Sequence, residues 1–328
     1  MNKWIISLIP DHHKKRKYLA IGLTVLLAGG FTLWGIYHIG QYGIALFLLT
    51  PIFLGLCPVV IYGQKGALTR SEAIQLGFVT LAVFLVALLV FAIEGLICIA
   101  MVTPLAILMT WMGSMAGYLF TGYSKGGAPP ALFLAILLLP TLAFMEQNQN
   151  PAITSVSTQL EIAASPETVW QLVIAFPPLN EPTEFLFKAG IAYPISATME
   201  SEGVGAVRHC NFTTGSFVEP ITVWDKPHLL RFDVRNQPEP MTELSFWDID
   251  APHLHEYFVS KQGQFKLTQL PNGHTLLEGT TWYEHRIRPA IYWQLWSNYI
   301  VKTIHLRVLA HIKKEAEKTQ AIGAPPLP

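Results

Sequence analysis

Charge is scarce in this chain: Asp, Glu, Lys and Arg make up 13% of its 328 residues, about half the share of an ordinary soluble domain. The shortage is uneven. Positions 1–145 hold eight Lys or Arg and three Asp or Glu, leaving fourteen basic and nineteen acidic residues for the rest; mean hydropathy over the whole chain is +0.37. The two parts suit different solvents, and about two domains are expected for this length. The second part is mildly acidic and has no basic stripe. Nucleic-acid affinity comes largely from clustered Lys and Arg, so no nucleic-acid partner is expected.

Cysteine is also short. Cys57, Cys98 and Cys210 are too few for a disulfide framework, and Cys210 stands alone in the second part. There is no GxGxxG, P-loop, GxSxG or HExxH, which leaves nucleotide and zincin chemistry unsupported, and no cofactor is expected. His253 and His255 would point two imidazoles to one strand face. No third ligand of suitable spacing follows closely, so no metal is expected either.

What the first part has is long apolar runs. A span needs about 20 apolar residues to cross roughly 30 Å of hydrocarbon. Five runs approach this: 18–38, 43–63, 72–93, 96–121 and 129–145. They predict an all-α transmembrane bundle of about five helices over residues 1–145. The third and fourth reverse near Glu94–Leu96, because one helix from Gly77 to Phe120 would be about 66 Å long, twice a bilayer. Ser71 followed by Glu72 suits the start of the third helix, and Pro104 kinks the fourth. "WIISLI" ahead of Pro10 is too short to cross and reads as an interfacial segment.

Lys14, Lys15, Arg16 and Lys17 precede the first run; Lys65 and Arg70 lie in the second connection and Lys125 in the fourth, while the first and third carry none. This places the amino terminus in the cytoplasm of a multi-pass cell-membrane protein. Five spans put the second part outside the cell; four would reverse it. Glu94 is either an intramembrane proton or cation ligand or a hydrated span-end residue. Gly113 and Gly117, in "GSMAG", allow close approach of another helix, from the same bundle or from a membrane-protein partner or second copy. Membrane lipids are expected partners.

After a polar linker, 146–156, the period changes to two: Val156, Thr158, Leu160 and Ile162 alternate with polar residues, predicting a half-buried strand. "ASPETVW" then opens a helix, with Ser165 as N-cap, Pro166 in the first position and Glu167 facing the dipole. Val169, Leu172, Val173 and Phe176 form its apolar stripe. Turns at 200–206, 213–216, 224–228 and 270–275, the last holding Asn272-Gly273, separate about six further antiparallel strands: "AVRHCNFT", "FVEPITVW", "LLRFDV", "HEYFVS", "GQFKLTQL" and "TLLEGTTWYEH". Pro289 opens a long helix to about Lys318, with Ile291, Leu295, Ile300, Ile304, Val308 and Ile312 along it. The tail, 319–328, is expected to be disordered.

The "LEIAASPETVWQLVIAF" segment, the "GVGAVRHCNFTTG" hairpin, the "ITVWDKPHLLRF" turn and the "GTTWYE" strand before the last helix resemble the START-like, helix-grip superfamily (SRPBCC; polyketide cyclase/dehydrase and lipid-transport relatives). The resemblance covers about 155–318. It implies an α+β domain over 157–318, a curved antiparallel sheet wrapped around a carboxy-terminal helix, with an apolar cavity for a lipid-like or other hydrophobic small molecule. It supplies no universal catalytic motif, so catalytic residues stay unassigned. Cavity candidates from the residues themselves are Trp224, Trp282, Trp293 and Trp296 for apolar area, and His209, Asn211, Glu219, Tyr283 and His285 for polar contact. The expected function is membrane-anchored binding or transfer of a hydrophobic molecule. The alternatives are a cyclase or dehydratase using His209, Glu219 and His285, and a module that engages a membrane partner.

Overall fold

The computed structural model describes residues 8–40, 42–123, 141, 151–245, 247, 249, 251–255 and 257–322. The chain divides into two compact units. One comprises Met1–Asn150, Glu243–Pro252 and Ile287–Pro289; the other comprises Pro151–Thr242, His253–Arg286 and Ala290–Pro328.

In the first unit four helices are long and apolar enough to cross a membrane, among the described residues: His13–His38, Ala45–Gly63, Arg70–Val90 and Leu96–Gly122. That is one fewer than expected; the fifth run, 129–145, falls almost wholly outside the described residues, as does most of "WIISLI". Their regular α-helical cores are α1 (His13–Trp34), α2 (Thr50–Gly63), α3 (Arg70–Val90) and α4 (Leu96–Tyr123), with π-helical turns at Gly35–Ile39 and Ala45–Leu49. The cap of α3 differs from expectation. Thr69, not Ser71, is the N-cap: its hydroxyl accepts from the Glu72 amide at 3.3 Å while the Glu72 carboxylate accepts from the Thr69 amide at 2.8 Å. This reciprocal pair satisfies two otherwise orphaned donors.

α2 is the buried member of the bundle, with Phe53, Leu54, Val59 and Val60 all at or below 1% exposed. The others leave Leu26 of α1, Val86 of α3 and Leu119 of α4 exposed. Apolar side chains ringing a bundle on its outside suit hydrocarbon rather than water.

The second unit is built on one seven-stranded antiparallel sheet, order β1-β7-β6-β5-β4-β3-β2. The strands are β1 (Ile153–Ile162), β2 (Pro194–Met199), β3 (Val207–Phe212), β4 (Gly215–Asp225), β5 (Leu229–Asp233), β6 (Phe258–Gln269) and β7 (Thr275–His285). Helices α5 (Pro166–Ile174) and α6 (Phe185–Lys188) join β1 to β2, and α7 (Ala290–Ile322) follows β7. "HEYFVS" and "GQFKLTQL" are not two strands: Phe258 to Gln269 is one, interrupted by an irregularity between Ser260 and Gln262. β2 supplies the missing member. Irregularities at Pro194/Ser196, Ile221/Val223 and Ser260/Gln262 bend the strands, as bulges do. The result is a half-barrel with the long α7 against it, the architecture expected from the sequence.

Ser165 caps α5, its hydroxyl accepting from the Thr168 amide at 3.4 Å. The cap sets the helix so that Trp170 is fully buried and meets the Trp224 ring edge-on at 5.3 Å. Trp170 belongs to the core with Val169, Val173, Leu230, Leu277, Leu309 and Ile312, and the half-buried Trp224 packs against it. The start of α7 has a different phase from the expected one. Ile291 and Leu295 are 83% and 67% exposed, while Trp293, Ser297 and Val301 face inward. The helix also runs to Ile322, so the first four residues of the expected tail are helical; 323–328 lie outside the described residues.

Candidate ligand cavity

Strand alternation gives each inner position of the half-barrel a side chain aimed at α7. Between them is a cavity of about 130 Å³. Phe212, Phe217, Phe232, Phe258 and Phe265 line it from the sheet, and Val301, Ile304 and Val308 from α7. Gly263 of β6 is a condition for this wall: a Cβ there would overlap the Phe232 ring.

Two polar groups in the wall are charged. The β3–β4 hairpin pairs Phe212 with Gly215 across Thr213-Thr214, and the same register sets Arg208 opposite Glu219. Their side chains, 2% and 7% exposed, form an ion pair. The Arg208 Nε also donates to the Ile174 carbonyl at 3.0 Å, and its guanidinium lies 5.6–5.7 Å from the centres of Phe176, Phe232 and Phe265. Burial pulls the guanidinium down, but the Glu219 carboxylate and the Cys210 thiol more than offset that, so Arg208 stays protonated. Burial pushes the Glu219 carboxyl above the usual carboxylate range, with Arg208 acting against it. Cys210, also in the wall, is pushed up to about 12 by burial and then by Glu219. It is a thiol, not a nucleophilic thiolate.

The third polar feature is His305 of α7. Its Nε2 lies 2.8 Å from the Thr281 hydroxyl and its Nδ1 3.2 Å from the Thr158 hydroxyl. Burial pushes this imidazole down to about 4, so it is neutral at pH 7.

Of the residues singled out from sequence, Glu219 lines the cavity. His209 and Asn211 are on the opposite face of β3 from Arg208, Cys210 and Phe212, a correction of one residue in strand parity. Asn211 there bonds the Ser196 and Ser216 hydroxyls at 3.0 and 2.6 Å. Trp224 is half-buried and packs against Trp170, outside the cavity wall. Trp282 faces away from Thr281 on β7 and lies 5.9 Å from the Arg231 guanidinium. Tyr283 is on the inner face but stacks on Phe258 at 4.9 Å and donates to Asn298 at 2.7 Å. His285 and Trp293 are buried and Trp296 half-buried, all three outside the cavity wall. His253 lies in a 3-10 turn, Pro252–Leu254, and is buried while His255 is exposed, so they do not share a strand face. Arg208 and His305 were not anticipated.

In the first unit Glu94 sits in the turn between α3 and α4 and accepts from the Tyr42 hydroxyl at 3.0 Å. Gly113 and Gly117 use their lack of a side chain against α2. A Cβ on Gly113 would overlap the Ile52 carbonyl, and one on Gly117 would press on Val59 and the Leu56 carbonyl. The Thr110 hydroxyl donates to the Pro51 carbonyl at 3.1 Å in the same seam.

No family model and no curated protein matches the chain. Among solved structures, a point mutant of norcoclaurine synthase from Thalictrum flavum is similar at 11% identity over 53% of this chain and 99% of that one, with a TM-score of 0.34. The Zhui aromatase/cyclase from Streptomyces sp. R1128 is similar at 13% identity over 53% and 100%, with a TM-score of 0.35. Neither likeness carries information about ligand or chemistry, and the architecture rests on the topology above.

Proposed function

We propose that the carboxy-terminal unit binds a small, mainly apolar molecule in the cavity under α7, and that the apolar helices anchor it to a membrane. The observation that carries the reading is the cavity itself: a void walled by five phenylalanines and the aliphatic face of α7. Its volume is close to the roughly 150 Å³ of a dry engineered cavity that accepts benzene, and below the roughly 300–1,000 Å³ of drug-sized pockets. The molecule, or the part of it held, is therefore the size of one ring or a short acyl segment; several fused rings exceed it. A ligand of low water solubility suits an anchored receptor. By the distribution of Lys and Arg the amino terminus is cytoplasmic, and with 129–145 as a fifth span the cavity faces the outside.

The cyclase or dehydratase reading has less support. His209 points away from the cavity, and Glu219 is committed to Arg208, so the three groups it would use do not converge.

Full-length protein purified in nanodiscs should release a hydrophobic molecule on organic extraction, identified by mass spectrometry, or bind ring-sized apolar probes. Filling the void with Val308→Phe should abolish that binding while the unit stays folded by near-ultraviolet circular dichroism. No extracted molecule and no bound probe, or unchanged binding in the filled variant, would overturn the proposal.

A further inference from the structure

The polar anatomy of the wall limits what can occupy the cavity. We infer that the occupant is an uncharged, ring-sized molecule carrying one hydroxyl or carbonyl group, which hydrogen-bonds Thr281 at the end of a Thr158–His305–Thr281 chain. This rests on the reading that the cavity is a binding site.

Thr281 and His305 line the cavity, and Thr158, 7% exposed, backs the imidazole from β1. A neutral imidazole has one donor and one acceptor, and a hydroxyl has one donor and two acceptor sites. With the proton on Nδ1, His305 donates to Thr158 and accepts from Thr281, whose oxygen can then accept from a ligand hydroxyl. With the proton on Nε2, Thr158 donates to His305, His305 donates to Thr281, and the Thr281 proton is left for a ligand carbonyl. A tautomer change therefore serves either group, with no charge formed. The low proton affinity of His305 keeps it in this neutral pair of states.

Charge balance excludes ions. The charged side chains in the wall are Arg208 and Glu219, and each neutralises the other. A carboxylate entering the cavity would find the guanidinium already engaged and an anion beside it, and an ammonium could reach Glu219 only by displacing Arg208. Burying an unpaired ion among phenylalanines is strongly unfavourable.

The test is equilibrium dialysis of the full chain in nanodiscs at pH 7.5, with empty nanodiscs as the blank. The probes are cyclohexanol, cyclohexanone, methylcyclohexane and cyclohexanecarboxylate, alike in size. The alcohol and the ketone should each bind about tenfold more tightly than the hydrocarbon, the worth of one net buried hydrogen bond, and the carboxylate should not bind. Thr281→Val should bring the alcohol and ketone down to the hydrocarbon, and Thr281→Ser should restore the difference. Equal affinity for alcohol and hydrocarbon, a tenfold difference that survives in Thr281→Val, or carboxylate binding would overturn the inference and leave the cavity reading standing. Failure of every probe to bind would remove both.

Discussion

Replacing Glu219 by Leu should be among the most damaging single changes in the second unit, and the reason is asymmetric. Arg208 is 2% exposed and enclosed by Phe176, Phe232 and Phe265, and a guanidinium does not give up its proton in a protein. Without Glu219 it is an uncompensated buried charge, left with two neutral neighbours, the Ile174 carbonyl on Nε and the Cys210 thiol. Breaking a buried pair in this way costs about 3–5 kcal/mol. The reverse change, Arg208→Met, should cost less, because Glu219 can take up a proton, which its buried position already favours. The double variant Arg208→Met/Glu219→Leu should return to within about 1 kcal/mol of the natural chain or exceed it, since apolar replacement of both partners is often neutral or stabilising. Hydrogen exchange followed by mass spectrometry on the full chain reads this locally. A loss of about 3 kcal/mol speeds exchange in peptides of β3 and β4 roughly a hundredfold, at about 1.4 kcal/mol per factor of ten, while peptides of α2 stay unchanged. Equal damage from the two single variants, or a double variant no better than Glu219→Leu, would refute the assignment of the cost to a stranded guanidinium.

Three further outcomes are expected. His305 binds a proton near pH 6.5 when unfolded and only at about 4 when folded; the unfolded chain therefore holds more protons between these values, and stability falls as pH drops through that window. The loss is up to about 3 kcal/mol, and His305→Asn should flatten the urea-midpoint profile between pH 7 and 4. Gly113→Leu should separate α2 from α4 and lower the detergent melting temperature, whereas Gly122→Leu, with nothing within 4 Å of the added carbon, should be tolerated; equal effects would sink the close-packing account. With five spans, a membrane-impermeant maleimide should label Glu202→Cys in intact cells and Lys14→Cys only after permeabilisation. The opposite pattern would put the cavity in the cytoplasm.

Periodicity exposed the elements but not always their faces. The four apolar helices, the Ser165 cap and the Asn272-Gly273 turn were legible because each is set by neighbours within a few residues. The parity of β3 was not, because a charged residue defaults to the outside and Arg208 is inside only through a partner eleven residues on. That partner could have been found. A two-residue turn at Thr213-Thr214 pairs Phe212 with Gly215 and hence Arg208 with Glu219. His305 offered no comparable signal. It sits in a helix between Lys302 and Arg307, and its two hydroxyl partners come from β1 and β7, which pair across more than a hundred residues of sequence. The phase of α7 was misread at its start because Ile291 and Leu295 are apolar yet exposed, so apolarity alone named the wrong face.

The titratable groups in the cavity wall also bear on the choice between binding and acid-base catalysis. General acid-base work at neutral pH needs a group that changes protonation near 7 and can change partners. Cys210 is held up at about 12 and His305 down at about 4, and Arg208 and Glu219 hold each other. Burial moves Cys210 and His305 away from neutrality, whereas it moves the Glu219 carboxyl toward neutrality, and there the ion pair with Arg208 is what opposes it. On the proposed reading the Thr281 hydroxyl and the His305 tautomer recognise a neutral ligand, and Glu219 could transfer a proton only by releasing Arg208. Within the proposed binding function it is thus the Arg208–Glu219 pair, rather than burial alone, that argues for holding the occupant unchanged.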